Sequence, residues 1–169
     1  KTNDYDIKAL RGEADSFLEG LEERLQSIEN YNGFPDPEFV TFDRLEDWFP
    51  VKSIGEICVC MNSIETVEDE KAHLFLRIAL SECLRLVSYQ RNGEFKLYRI
   101  AEADRERFYV PLFPLLEARI RRNLEGCNAF SETVDPSTSA TIHGFNTVEE
   151  GGLAKLGRNP DIVVTSPPY

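Results

Sequence analysis

The residues richest in chemistry are the nine at positions 161–169, Asp161-Ile-Val-Val-Thr-Ser-Pro-Pro-Tyr169. Asp161 to Thr165 is a β-branched apolar run entered from Asn159-Pro160, and it reads as a short buried strand. Ser166-Pro167-Pro168-Tyr169 breaks that strand, because neither proline can donate to a sheet ladder and each fixes its own φ. The outcome is a stiff loop at the carboxyl end of a strand, where open α/β sheets place their ligands. Tyr169 offers a flat face suited to stacking on a base. Proline pairs also occur in linkers and polyproline ligands, so the preceding apolar strand carries the reading.

This strand and loop resemble motif IV of the amino-group DNA methyltransferases, (S/N/D)-P-P-(Y/F/W). The form Thr165-Ser-Pro-Pro-Tyr169 is similar to the cytosine-N4 branch, and adenine-N6 enzymes also use S-P-P-Y. The resemblance implies that a target base is flipped out of duplex DNA. It implies that the Ser166 side chain and the Pro167 carbonyl accept hydrogen bonds from the exocyclic amine and that Tyr169 stacks on the ring, on a loop that Pro167 and Pro168 stiffen. The amine then takes a methyl group from S-adenosylmethionine. Its lone pair is conjugated with the ring, so acceptors that favour the pyramidal amine act chiefly in the transition state. Such chemistry requires no metal and no covalent cysteine. Cys127-Asn-Ala is not the proline-cysteine motif of carbon-5 enzymes.

Other reactive side chains point to less. Cys58, Cys60, Cys83 and Cys127 sit in apolar or helical contexts and read as buried reduced thiols of a cytoplasmic protein. His73 falls in a buried helix and His143 at the end of a candidate strand, and both read as structural. The net charge of −11 argues against contact with phosphates until it is mapped along the chain. Residues 1–70 hold 18 acids and 6 bases, whereas residues 71–124 hold 11 bases and 6 acids. The middle arginines, Arg91 and Arg99 among them, are therefore the candidates for facing DNA. No apolar run is long enough to span a bilayer, and no membrane contact is expected.

The elements that must position this chemistry are mostly helical. Apolar residues at three- and four-residue steps predict a helix over 4–30, capped by Asp4 or Asp6, suited to packing on its own domain or to self-association. A short helix is expected over 42–49 and another from Pro50 to about Ile64. The strongest helix runs from Val67 to about Tyr89 and is apolar almost all round, which predicts burial on every side. Residues 90–93 read as a turn and 94–100 as extended chain. A helix over 111–125 is expected to stop at Gly126, with a loop over 131–139. Short strands over 140–143 and 161–165, with a helix over 147–156 between them, make one right-handed parallel unit. Such a unit cannot bury its own faces without further cover.

The resemblance extends upstream to Trp48-Phe49, the helix at 67–87, Leu86–Arg91 and Leu97–Arg99, which are similar to helical insertions that precede motif IV, and Lys1-Thr2 resembles the end of the alanine-lysine-threonine stretch that follows the adenosine-binding acidic strand. The glycine-rich motif I that cradles the cofactor is absent, and Phe145 stands in Gly144-Phe-Asn146 where an aspartate is usual. The expected fold is mostly α with a small α/β part: a fragment of a Rossmann-like methyltransferase domain carrying a helical insertion. Residues 1–130 form the insertion and 131–169 the strand–helix–strand part ending at motif IV. The complete enzyme, with its remaining parts as partners, is expected to bind S-adenosylmethionine and DNA, and this chain alone to be inactive. A helical binding module, or an amino-methyltransferase acting on RNA or protein, are the alternatives.

Overall fold

The computed structural model describes residues 6–27, 44–91 and 98–135, with positions 137, 138, 141, 162 and 164 beyond them. The four long helices each touch the other three and bury one common core.

Helix α1 (Ile7–Ser27) starts at Asp6, whose Oδ1 accepts from the backbone N–H of Lys8 at 3.0 Å and of Ala9 at 3.1 Å. Its buried stripe is Leu10, Ala14, Phe17, Leu18 and Leu21, as the spacing predicts. A single 3-10 turn, Leu45–Asp47, replaces the short helix expected over 42–49, and it opens at Arg44, which holds a left-handed backbone with φ 68°. Helix α2 (Val51–Glu65) follows Pro50, which stands at the N-cap rather than inside the first turn. Helix α3 (Glu70–Leu84) is capped by Asp69, whose Oδ1 accepts from Ala72 N–H at 2.7 Å. After the short α4 (Glu102–Arg105) comes α5 (Leu112–Thr133). Leu112, Leu116, Ile120 and Leu124 recur every four residues along α5, and all are fully buried.

Three expectations need correction. Helix α3 is not buried all round, because Leu74 and Ile78 on its outer side are 52% and 48% exposed. One bundle covers one side of a helix, and apolarity on the other side does not create a partner. The same helix stops at Leu84 instead of continuing to Tyr89. Val87 turns inward, and Tyr89 N–H donates to the Trp48 carbonyl at 2.7 Å, which draws the chain into an extended course. Helix α5 runs through Gly126 to Thr133, so the boundary expected at 130/131 falls inside its last turn. Gly126 is no C-cap, and the turns after it are held by side chains. Asn128 Nδ2 donates to Glu132 Oε1 at 2.8 Å, and Thr133 Oγ1 donates to the Ala129 carbonyl at 2.9 Å.

Most of the 131–169 unit lies outside the described residues, as does the segment 28–43. Ile162 and Val164 are 81% and 92% exposed, so at those two positions the run expected to be a buried strand has no cover. No helix among the described residues is long and apolar enough to cross a membrane.

Gly12, Gly20 and Gly126 all lie inside helices, and a methyl group added at each meets no atom within 4 Å. Each glycine-to-alanine change should stabilise the protein by about 0.5–1 kcal/mol, read as a higher urea midpoint with unchanged slope. A lower midpoint for Gly126→Ala would mean that α5 ends where the glycine suggested.

Candidate nucleic-acid interface

Arg91 and Arg99 lie on two extended segments that follow α3. Arg91 N–H donates to the Tyr98 carbonyl at 2.7 Å, and Ile100 N–H donates to the Tyr89 carbonyl at 2.8 Å. Gln90 and Arg99 face each other in an antiparallel bridge. Side chains alternate across such a pair, so Arg91 and Tyr98 are cross-strand neighbours on one face and Gln90 and Arg99 lie on the other.

The two arginines differ in their surroundings. The Arg99 guanidinium sits 5.1 Å from the Trp48 ring centre. It donates to the Asp47 carbonyl at 3.2 Å and lies 3.7 Å from the Asp47 carboxylate. It therefore locks the extended pair onto the 3-10 turn and leaves a third of its side chain exposed. Arg91 is exposed, and so is Tyr98, at 50%. Tyr89, on the same face as Arg91 and Tyr98, is half-buried, with Arg105 stacked 5.6 Å from its ring centre and Phe108 at 5.8 Å.

Sequence reasoning passed over Glu56, a buried carboxylate on α2. Its Oε1 accepts from the Tyr109 hydroxyl at 2.5 Å and its Oε2 from Leu112 N–H at 3.1 Å, at the first residue of α5. Lys52, one turn earlier on α2, places its ammonium 4.2 Å from the Tyr109 ring centre. The carboxylate thus stands at the positive end of a 22-residue helix and satisfies one of its orphan donors. The available signal was one acid among Ile54, Gly55, Ile57, Cys58, Val59 and Cys60, since a carboxylate in so apolar a run needs a buried partner.

The cysteines and His73 sit in the helical bundle. Cys58, Cys60 and Cys83 are buried and Cys127 half-buried, and all four thiols are free. Burial pushes the Cys60 thiol far above its ordinary range, with Cys83 nearby adding to the effect. Such a thiol is a poor nucleophile. His73 is half-buried, with Nε2 3.8 Å from Glu65. Ser166, Pro167, Pro168, Tyr169 and His143 lie outside the described residues.

The chain is 34% identical over 133 residues to the Type II methyltransferase M.MvaI of Kocuria varians. The match takes in 76% of this chain and 29% of that protein, so the chain spans about three-tenths of that relative's length. A continuous match to three-quarters of 169 residues, wherever it starts, includes roughly residues 45 to 125. The likeness therefore lies in the helical body as well as in any part of 131–169. No protein-family model matches the chain, and no solved structure matches it.

Glu56→Ala leaves Leu112 N–H and the Tyr109 hydroxyl without their acceptor, and should cost about 2–3 kcal/mol in urea unfolding. Tyr109→Phe should cost about 1 kcal/mol. The double variant should cost clearly less than the sum, because both changes remove the same hydrogen bond. Strict additivity would show that the contact contributes nothing.

Proposed function

We propose that this chain is part of a DNA methyltransferase that modifies an exocyclic amino group, cytosine N4 or adenine N6, with S-adenosylmethionine as methyl donor. The observation that carries the reading is the 34% identity to a Type II methyltransferase over a stretch that must include α2, α3 and most of α5. The sequence Thr165-Ser-Pro-Pro-Tyr169 supports the amino-group specificity independently. In this reading Ser166 Oγ and the Pro167 carbonyl accept from the target amine. Pro168 holds the loop stiff, and Tyr169 provides the stacking face for the flipped base.

The sequence offers no glycine-rich motif I, and the two clefts below are lined by acids. A cleft of about 350 Å³ lies between α1 and the α2–α3 turn, and one of about 280 Å³ lies between α1 and α5. Glu13, Glu68 and Asp69 line the first, and Asp15, Glu19, Glu22 and Glu117 the second. Neither has a glycine-rich turn between a strand and a helix, which is what cradles an adenosine-linked methionine in the resembled family. The 169-residue chain should therefore show no saturable S-adenosylmethionine binding by calorimetry at micromolar concentrations. A clear isotherm would mean that a cofactor site exists where none is expected.

The reading itself is tested in the complete enzyme. Ser166→Ala should lower the single-turnover methyl-transfer rate more than it weakens DNA binding, because its interaction matters most in the transition state. Tyr169→Ala removes a stacking face worth about 1–3 kcal/mol per base and should impair both capture of the base and turnover. Tyr169→Phe should retain much of each. Wild-type rates in both alanine variants would reduce the motif to a structural turn.

A further inference from the structure

Two apolar surfaces of this chain stand uncovered. The first lies on the outer side of α3 and near the end of α5, where Leu74, Ile78 and Phe130 are 52%, 48% and 49% exposed. The second is at Ile162 and Val164, which are 81% and 92% exposed. We infer that they cover each other: the run 161–165 packs through Ile162 and Val164 on Leu74, Ile78 and Phe130. The inference goes beyond the proposed function, since it concerns what holds 131–169 to the helical body and involves no methyl transfer.

The three helical residues form one patch. Tyr89 N–H, five residues past α3, donates to the carbonyl of Trp48, two residues before Pro50 at the N-cap of α2. Leu112 N–H, at the start of α5, donates to Glu56 in the second turn of α2. The end of α3 and the start of α5 therefore meet at the same end of the bundle, and the two helices run antiparallel. Glu82 fixes their alignment, because Arg119 Nε lies 3.2 Å from its Oε2 and Asn123 Nδ2 donates to the same atom at 3.2 Å. Ile78 and Leu74 lie one and two turns before Glu82, and Phe130 lies two turns after Asn123 on the same stripe. Antiparallel helices bring those turns level, so the three side chains border one seam.

Three observations select the occupant. The first is position. Helix α5 buries no residue beyond Leu124, and its last turns carry Phe130 to the end of the bundle from which residues 134–169 continue. The second is reach. The 27 residues between Val134 and Ile162 span up to about 90 Å when extended, against about 22 Å for the whole of α3. The third is complementarity. Ile162 and Val164 share one face of an extended run, and a strand–helix–strand unit cannot bury that face by itself. A second copy fits less well. Three half-exposed side chains fall far short of the roughly 800 Å² a side that a stable dimer buries. A tethered segment needs less area, because its effective concentration is on the order of millimolar. Ser166 follows Thr165 directly, so this docking also sets the 166–169 loop beside the first half of α3.

The test is paramagnetic broadening in the 169-residue chain. A nitroxide is attached at Thr165→Cys, on the face away from Ile162 and Val164, in a Cys127→Ser background that removes the half-buried thiol. The methyl signals of Leu74 and Ile78 should lose most of their intensity and regain it when the nitroxide is reduced. Those of Val51, exposed at the start of α2 and so at the opposite end of the bundle, should keep theirs. Ile162→Gln with Val164→Gln, which leaves every helix untouched, should abolish the broadening. Leu74→Gln with Ile78→Gln keeps helix propensity. It should sharpen the Phe130 ring signals while circular-dichroism melting matches the parent chain. Full Leu74 and Ile78 intensity in the labelled chain would overturn the inference. So would equal broadening at Val51, or broadening that survives Ile162→Gln with Val164→Gln. Broadening that persists with nitroxide and isotope on separate copies would make the occupant a second copy, and would overturn it too. Failure of methyl transfer in the complete enzyme leaves all of these readings unchanged.

Discussion

The start of α5 depends on a carboxylate from another helix. Leu112 is the first residue of α5 and the first of four fully buried positions spaced by four. Pro111 before it supplies no side-chain cap, and Pro114 two residues later has no N–H to give. Glu56 supplies the missing acceptor from α2 and takes the Tyr109 hydroxyl on its other oxygen. One buried charge therefore fixes where α5 begins and ties α2 to the chain that leads into it. The apolar stripe of α5 then receives α1, α2 and α3. A buried charge so placed is costly to unpair, and it resists any register of α5 in which Glu56 would lose its donors.

The second organising constraint is the exit from α3. Val87 is fully buried and Tyr89 N–H is bound to the Trp48 carbonyl, so the chain cannot continue as a helix. It pairs with 98–100, and Arg99 returns to cover Trp48 and Asp47. The 3-10 turn, the left-handed Arg44 and the extended pair are thus parts of one local assembly built from segments 50 residues apart in sequence. It projects Arg91 and Tyr98 outward while keeping Tyr89 and Trp48 partly covered.

The helices were legible where periodicity and caps agreed. Asp6 marks the start of α1, and the stripes over 10–21 and 112–124 name the core. Legibility failed where a local signal met a tertiary one. Gly126 reads as a stop, yet the Asn128–Glu132 pair and the Thr133 hydroxyl extend the helix past it. Leu74 and Ile78 read as core, yet hydrophobicity says nothing about which side of a helix finds a partner. Glu56 was missed because its partners lie 53 and 56 residues away, a separation no local pattern encodes. Of the candidate site, Arg91 and Arg99 could be nominated by charge alone. Their different surroundings required the pairing of 89–91 with 98–100 and the ring of Trp48.

That difference narrows the charge argument made from sequence. The 11 bases of residues 71–124 suggested a broad cationic surface. Several are neutralised within the protein. Arg119 lies 3.2 Å from Glu82, Arg121 lies 2.9 Å from Glu117 and 3.3 Å from Asp15, and Arg99 is turned onto Asp47. The Arg121 contacts also place two acids on the outer seam between α1 and α5, where Glu19 and Glu22 add to them. A phosphate backbone would meet repulsion along that seam.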